Sequence, residues 1–332
     1  GTIEYFKKDS KDLLFDVSQP ASVGVTSIIQ NIGKVTNSGV EIELDYNAFK
    51  NKDWSVSVGA NATFVKNKIK NLPATMKENG YISGSKKWLE GKSIYEFWLR
   101  QWHGVDPQTG DGLYVADVSK YNQGNIGTGD GNITQSQFDE YKKTVVTIDG
   151  KELTNSYTYA KYDFSGSSIP DVYGGFNVRV SYKNFELAAV FSYQLGGQIL
   201  DTNYATMMSM TEFGYAQSPD LLKAWKQAGD ITEVPRIDNS AAHTTNIGQS
   251  YSTRWLTSSD YLNLRSVTIG YQLPKTWLSK VMLKSARLNL TAENLFMLKA
   301  RQGLNPMANY SGVTYNEYMP SRNITLGLNV SF

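Results

Sequence analysis

The sequence predicts an all-β fold, an antiparallel transmembrane β-barrel to which the 332 residues contribute about ten strands. Three observations carry that prediction. Segments of about ten residues alternate apolar and polar side chains, as tilted strands do when their two faces meet different solvents across a bilayer. The connections between them alternate long and short, the asymmetry of barrels with short periplasmic turns and long external loops. The last strand, Arg322 to Phe332, reads RNITLGLNVSF and runs into an aromatic terminus with no turn after it.

Composition agrees. Lys and Arg number 33 against 31 acidic residues, so the net charge of +2 asks for no nucleic acid or other polyanion. With 21 Tyr, seven Trp and 28 Gly the chain favours strands and turns. The absence of cysteine excludes disulfides, thiolate metal sites and cysteine nucleophiles. No apolar run approaches the roughly eighteen residues of a membrane helix. The mean hydropathy of −0.39 reads as water-soluble, but a barrel escapes that test because only alternate residues must be apolar. The first residues, GTIEYFKKDS, read as a strand rather than a leader, predicting a chain that begins partway through a longer protein.

Gly1 to Phe15 reads as a strand with Ile3, Tyr5, Leu13 and Phe15 apolar, followed by a Ser/Gly/Asn/Thr-rich loop over 16–38. Val40, Ile42, Leu44 and Tyr46 alternate with Glu41, Glu43, Asp45 and Asn47. After a turn at 50–53, Trp54, Val56, Val58, Ala60, Ala62 and Phe64 return, which makes a hairpin. A polar loop over 66–92 precedes a strand over 93–103, with Glu96, Trp98, Arg100 and Trp102 on one face and Tyr95, Phe97 and Leu99 on the other. Turn residues over 105–111 and a short strand over 113–116 lead into a long insertion ending near Asp171.

Phe176, Val178, Val180 and Tyr182 lead through Lys183-Asn184 to Phe185, Leu187, Ala189, Phe191 and Tyr193, the clearest hairpin in the chain. The loop over 196–261 is expected to hold one helix: Ser218 as N-cap, Pro219 in the first turn, Leu221, Leu222 and Trp225 on one face, Gly229 as stop. Val267, Ile269, Tyr271 and Leu273 form the next strand, and Ala286, Leu288, Leu290 and Ala292 the one after. The loop over 297–320 leads to the terminal strand. Aromatics flank the short turns, Tyr46 and Trp54, Tyr182 and Phe185, Tyr271 and Trp277, as an interfacial girdle would.

An ordered series of runs resembles one family. GVDPQTGDG, IPDVYGGFNVRVSYKNFELAAVFSYQLGGQILD, LLKAWKQAGDITEVPR, YLNLRSVTIGYQLP, ARLNLTAENLF and GLNPMANY are similar to the barrel of SusC/RagA-type TonB-dependent transporters, over about Asn37 to Phe332. The resemblance implies a 22-stranded barrel filled by an amino-terminal plug, in the outer membrane of a Gram-negative bacterium. It implies import of glycans or peptides with a SusD-like surface lipoprotein as lid, driven by the TonB complex through an amino-terminal part. Residues 1–332 would then be the carboxy-terminal barrel portion, lacking plug and earlier strands, and would need those remaining strands, the plug and outer-membrane lipid as partners.

Catalytic chemistry is not evident. His103 and His243, the only histidines, lie in no helical pair and near no carboxylate cluster, and read as strand-end and loop residues. The run GTGDGNITQSQFDE resembles half of an EF-hand loop, but Ile126 and Gln137 stand where calcium needs carboxylates. No cofactor is implied. The row Glu41, Glu43, Asp45 reads as a wetted barrel wall. The row Glu96, Trp98, Arg100, Trp102 is the candidate substrate-binding face: a lumen needs polarity but not two indoles, and indoles flanked by charges suit a sugar ring or a peptide. The same indoles could instead pack on the plug. A rival reading, a soluble all-β glycan-binding module, is separated from the importer by detergent dependence.

Overall fold

The structure is a computed structural model that describes residues 1–18, 27–31, 33–129, 131–210, 214, 216–248, 251–279 and 282–332. Eight strands form one antiparallel meander, each paired with the next: β1 (Thr2–Lys11), β2 (Lys34–Lys50), β3 (Trp54–Asn71), β4 (Val172–Tyr182), β5 (Phe185–Leu195), β6 (Tyr261–Gln272), β7 (Ser285–Lys299) and β8 (Asn323–Ser331). β1 and β8 are the two edges of this open sheet.

Register aligns the alternation of each strand with its neighbours. Tyr46, Val58, Val178, Ala189, Val267, Ala292 and Ile324 are successive partners across seven strands. One residue along, Asn47, Ser57, Arg179, Ala188, Thr268, Thr291 and Thr325 make the matching row on the other face. Ile269 and Leu290 stay 47% and 42% exposed although their strands are flanked on both sides. A contiguous apolar face of that extent is not left in water. The opposite face is knitted by polar contacts: Glu186 bridges Arg179 (3.4 Å) and Arg287 (2.9 Å), and the Thr268 and Thr291 hydroxyls lie 3.1 Å apart. Where β6 meets β5 the register slips at Arg265, so Leu262 and Leu264 keep to the apolar face with opposite numbering parity from Val267 and Ile269.

Connections 51–53, 183–184 and 273–284 are short; 12–33, 72–171, 196–260 and 300–322 are long. All the long ones leave from the same end of the sheet, as a meander requires. At the other end the Trp54 and Tyr182 rings lie 4.4 Å apart, as do Phe185 and Tyr271.

Two expected wall strands lie elsewhere, so among the described residues the wall has eight strands and not ten. The stretch 93–103 divides into Glu96–Arg100, paired with Tyr162–Ser167, and Trp102–Val105, paired with Gly112–Val115. Strands of four or five residues cannot cross a bilayer, which takes roughly nine to eleven. Phe97 and Leu99 are fully buried against Leu200, Ala205, Trp255 and Val313, a water-protein core rather than a lipid face. The turn 105–111 therefore belongs inside one long connection, 72–171. That connection, 196–260 and 300–322 pack into a single body at one end of the sheet. Leu200 bridges to Val313, and the Leu200 N–H donates to the Gly312 carbonyl at 2.7 Å.

The helix expected from Ser218 is a single 3-10 stretch, Pro219–Lys223. Ser218 does cap it, accepting from the Asp220 N–H, but Leu222 points outward and Trp225 has left the helix to pair with Val234. The helix α1 (Gln135–Thr144) begins within the EF-hand-like run instead. The Gln137 carboxamide there accepts from the Thr134 N–H in a capping box, which occupies the oxygen a metal would need. Asp130 of that run lies outside the described residues.

Candidate functional site

The body formed by these connections holds a polar cleft of about 620 Å³ between 72–171 and 196–260. Its floor begins at the turn Asp106–Asp111, where the Asp106 carboxylate accepts from the Gln108 N–H (2.8 Å) and the Thr109 hydroxyl (3.0 Å). Gly110 takes φ +73°, and a side chain there would strike the Trp225 ring at 2.4 Å, so glycine is required on both counts. Trp225 Nε1 and the Gly229 N–H both donate to the Pro107 carbonyl, and the Arg236 N–H to that of Gly110. Two of the runs noted in the sequence, GVDPQTGDG and LLKAWKQAGDITEVPR, thus grip one another and bring Asp111 to Arg236.

The Arg236 guanidinium bridges Asp111 (3.2 Å) and Asp238 (3.1 Å). The Ser240 N–H, aided by the Ser240 hydroxyl, holds Asp238 below the usual carboxylate range. On α2 (Ala241–Ile247), buried His243 has Nε2 at 2.8 Å from the Arg236 carbonyl and Nδ1 at 3.8 Å from Asp111. A carbonyl only accepts, so Nε2 carries the proton and Nδ1 faces the carboxylate. His243 lies on a short helix rather than in the loop expected, and the Asp111 carboxylate beside it arrives from over 130 residues upstream. His103 does lie on a strand, Trp102–Val105.

The roof is held by Asn246, whose amide donates to the Gly112 carbonyl (3.1 Å) and accepts from the Tyr157 N–H (2.7 Å). The buried Tyr114 hydroxyl donates to the Asn246 carbonyl at 2.6 Å, and burial pushes its pKa up. Among the described residues the cleft offers hydrogen-bond donors and acceptors around the ion pairs of Arg236 with Asp111 and Asp238.

The four sequence candidates stand behind or beside this cleft, not on the wall. Arg100 donates to the Tyr157 carbonyl (3.0 Å) and lies over the Tyr157 and Tyr162 rings, backing the residue that lines the cleft. Glu96 and Trp98 share its half-buried face; Trp98 meets Phe164 edge-on at 4.9 Å, with the Lys87 ammonium 4.1 Å from its ring. Trp102 belongs to another sheet and packs on Tyr114. The Arg254 guanidinium lies between Trp102 (4.7 Å) and Trp255 (4.3 Å), and burial draws it down to about 10. Trp255 meets Tyr204, and Arg301 covers Tyr204 while pairing with buried Asp201. This ladder ties the 72–171, 196–260 and 300–322 connections together. Asp111, Arg236, His243, Asn246 and Tyr157 were not legible as a site; the one available signal was the density of turn residues in GVDPQTGDG.

Comparison with known proteins places this architecture. The family model for the β-barrel of TonB-dependent-receptor-like proteins matches residues 1–128. A TonB-dependent receptor of Formosa agariphila is 28% identical over the whole chain, which covers 32% of that protein. The TonB-dependent receptor SusC of Bacteroides thetaiotaomicron is 24% identical, again over the whole chain and 30% of the relative. The RagAB peptide importer in its closed-closed state superposes with a TM-score of 0.76 at 26% identity, over 99% of this chain and 33% of that one. The chain spans about a third of the length of the relatives it matches. It is SusC/RagA-like, and its likeness is to part of the barrel region of TonB-dependent receptors.

Proposed function

We propose that this stretch of barrel serves an outer-membrane importer of oligomeric nutrients, glycans or peptides, as the carboxy-terminal portion of its wall. On this reading the eight strands are the last eight of a 22-stranded barrel. The polar face lines the lumen around an amino-terminal plug, and the TonB complex acts through that missing part. The outward body meets the cargo and a SusD-like lipoprotein lid. The observation that carries the reading is the sheet itself: one apolar and one polar face across every strand, with all the long connections gathered at one end. The likeness to the RagAB peptide importer supports cargo of that kind.

Cargo is taken to engage the half-buried face of Glu96, Trp98 and Arg100, with Trp102 behind it, and the neighbouring cleft at Asp111 and Arg236. Trp98→Ala and Arg236→Ala in the complete transporter test this by cargo titration and lid co-purification. Weaker cargo binding with unchanged barrel assembly is the expected result. Parent-like affinity in both variants would remove the site assignment.

A further inference from the structure

A small sheet within the 72–171 connection carries a row of cations that no carboxylate neutralises. Its strands are Tyr81–Ser83, Lys86–Trp88, Glu96–Arg100 and Tyr162–Ser167. Trp98 pairs with Phe164 and Arg100 with Tyr162, so these four side chains share one face, opposite the buried Phe97 and Leu99. Two lysines reach the same face. The Lys87 ammonium lies 4.1 Å from the Trp98 ring centroid and the Lys92 ammonium 4.7 Å from that of Phe164. The Arg100 guanidinium lies 4.7 Å from the Tyr162 ring and 5.0 Å from that of Tyr157. An aromatic ring steadies a cation through its quadrupole but brings no countercharge. Among the described residues Lys87, Lys92 and Arg100 form no ion pair. Lys161 takes Asp163 at 2.9 Å, which leaves Glu96 as the single unpaired carboxylate against three cations. Rows two residues apart along a strand are roughly 7 Å apart, so one small anion cannot serve both Arg100 and the lysines. The arrangement asks for a ligand whose charges repeat along its length. At its far end the row meets Tyr157, which lines the polar cleft beside Asn155, Ser156 and Ser240.

We propose that this face and the adjoining cleft bind an acidic oligosaccharide, its carboxylates or sulfates pairing with Lys87, Lys92 and Arg100 and its hydroxyls meeting the cleft. The inference rests on the import reading and names the class of its cargo. An acidic sugar carries an anionic group, an apolar C–H face and hydroxyls on each residue. The face supplies cations and rings for the first two, and the cleft supplies amide and hydroxyl partners for the third. An acidic peptide bound as a strand would draw its affinity from main-chain hydrogen bonds along a sheet edge. Here the charged row consists of side chains on the face.

The test is calorimetric titration of the purified complete receptor with four probes of matched length: oligogalacturonate, its neutral methyl ester, a sulfated galactan oligosaccharide and oligoglutamate. At least one of the two acidic sugars should bind, more than about tenfold tighter than the methyl ester or oligoglutamate, and its affinity should fall as salt rises. Lys87→Gln and Lys92→Gln should each weaken that binding about fivefold and flatten its salt dependence, which a merely structural role would leave unchanged. Both lysines stand on the sheet's outer face, so assembly of the barrel does not depend on them. Binding of neither acidic sugar, or parent-like affinity and salt dependence in both variants, would overturn the proposal. Methyl ester or oligoglutamate held as tightly as the acidic sugars would overturn it and leave the import reading standing. An acidic sugar that binds through these lysines yet is never carried inward by TonB-energised membranes would instead fail the import reading alone.

Discussion

A single arginine walked across β6 should report which solvent each face meets. Val267 pairs with Ala189 and Ala292 on the apolar face, and Thr268, the next residue, faces its partners Ala188 and Thr291 on the polar side. The apolar rows run from Tyr271, level with the aromatic ring pairs, to Leu262 near the long connections, and Val267 sits at their middle. That band is about nine residue steps long, roughly 30 Å along a strand and about 21 Å once tilted by 45°, close to the thickness of a barrel's apolar belt. Val267→Arg therefore places a charge near the midplane and should cost roughly 2–4 kcal/mol. Leu328→Arg, in the row of Leu288 and Tyr271 at the aromatic level, should cost about 1 kcal/mol or less. Thr268→Arg should cost less than Val267→Arg, because its charge stays wet beside Glu186 and the polar rows. The assay is denaturant titration of the complete receptor refolding into lipid vesicles, followed by fluorescence. Equal costs for Val267→Arg and Thr268→Arg would refute the two-solvent assignment.

Further predictions concern the outward body. Lys86 is buried, donates to the Tyr95 carbonyl (2.9 Å) and the Ser168 hydroxyl (3.1 Å), and lies 3.3 Å from the Phe97 ring centroid. Burial pulls its pKa down to about 7, against the opposing pull of Glu96. Between pH 7 and its ordinary value of 10.5 the unfolded chain then binds more protons than the folded one, so stability should rise with pH across that window. Lys86→Met should abolish that rise in thermal melts of the complete receptor; a rise that persists would assign it to another group. Asp201 accepts from the Tyr204 N–H and the Thr314 hydroxyl and pairs with Arg301. Asp201→Ala leaves that guanidinium uncompensated and should cost about 3 kcal/mol, read as protease cutting within 300–322. Arg254→Met should loosen the contact between the three long connections, seen as faster amide exchange at Trp102 and Tyr204 together; exchange changed at only one would contradict the ladder.

How far the sequence could be read follows from what periodicity reports. The hairpin from Phe176 to Tyr193 and the terminal strand were legible because each has one apolar and one polar face over a bilayer's length. The stretch 93–103 alternates just as cleanly, yet its apolar residues, Phe97 and Leu99, meet protein. A period of two says that a strand has two environments, not which ones. Length is the discriminating signal, and the four-residue strand at Gly112–Val115 carried it. The cleft was illegible for a different reason. Asp111 with Arg236, and Gly112 with Asn246, are contacts across more than a hundred residues, and no local pattern encodes them. The tryptophan row alternates in sequence as one face, but the chain changes sheets at Gln101, whose amide donates to the Leu99 carbonyl and the Ser165 hydroxyl.

The most direct measurement is spin-label accessibility along β6 in the complete receptor reconstituted in lipid, one cysteine at a time from residue 262 to 271. Labels at 267, 269 and 271 should be reached by oxygen dissolved in the bilayer, and those at 266, 268 and 270 by a water-soluble relaxer. Across the slip at Arg265 the parity should invert, with 262 and 264 facing lipid. Alternation with that one inversion is what a membrane-spanning wall strand with this register must give. Water access at every position, or alternation that passes through 265 unbroken, would contradict it.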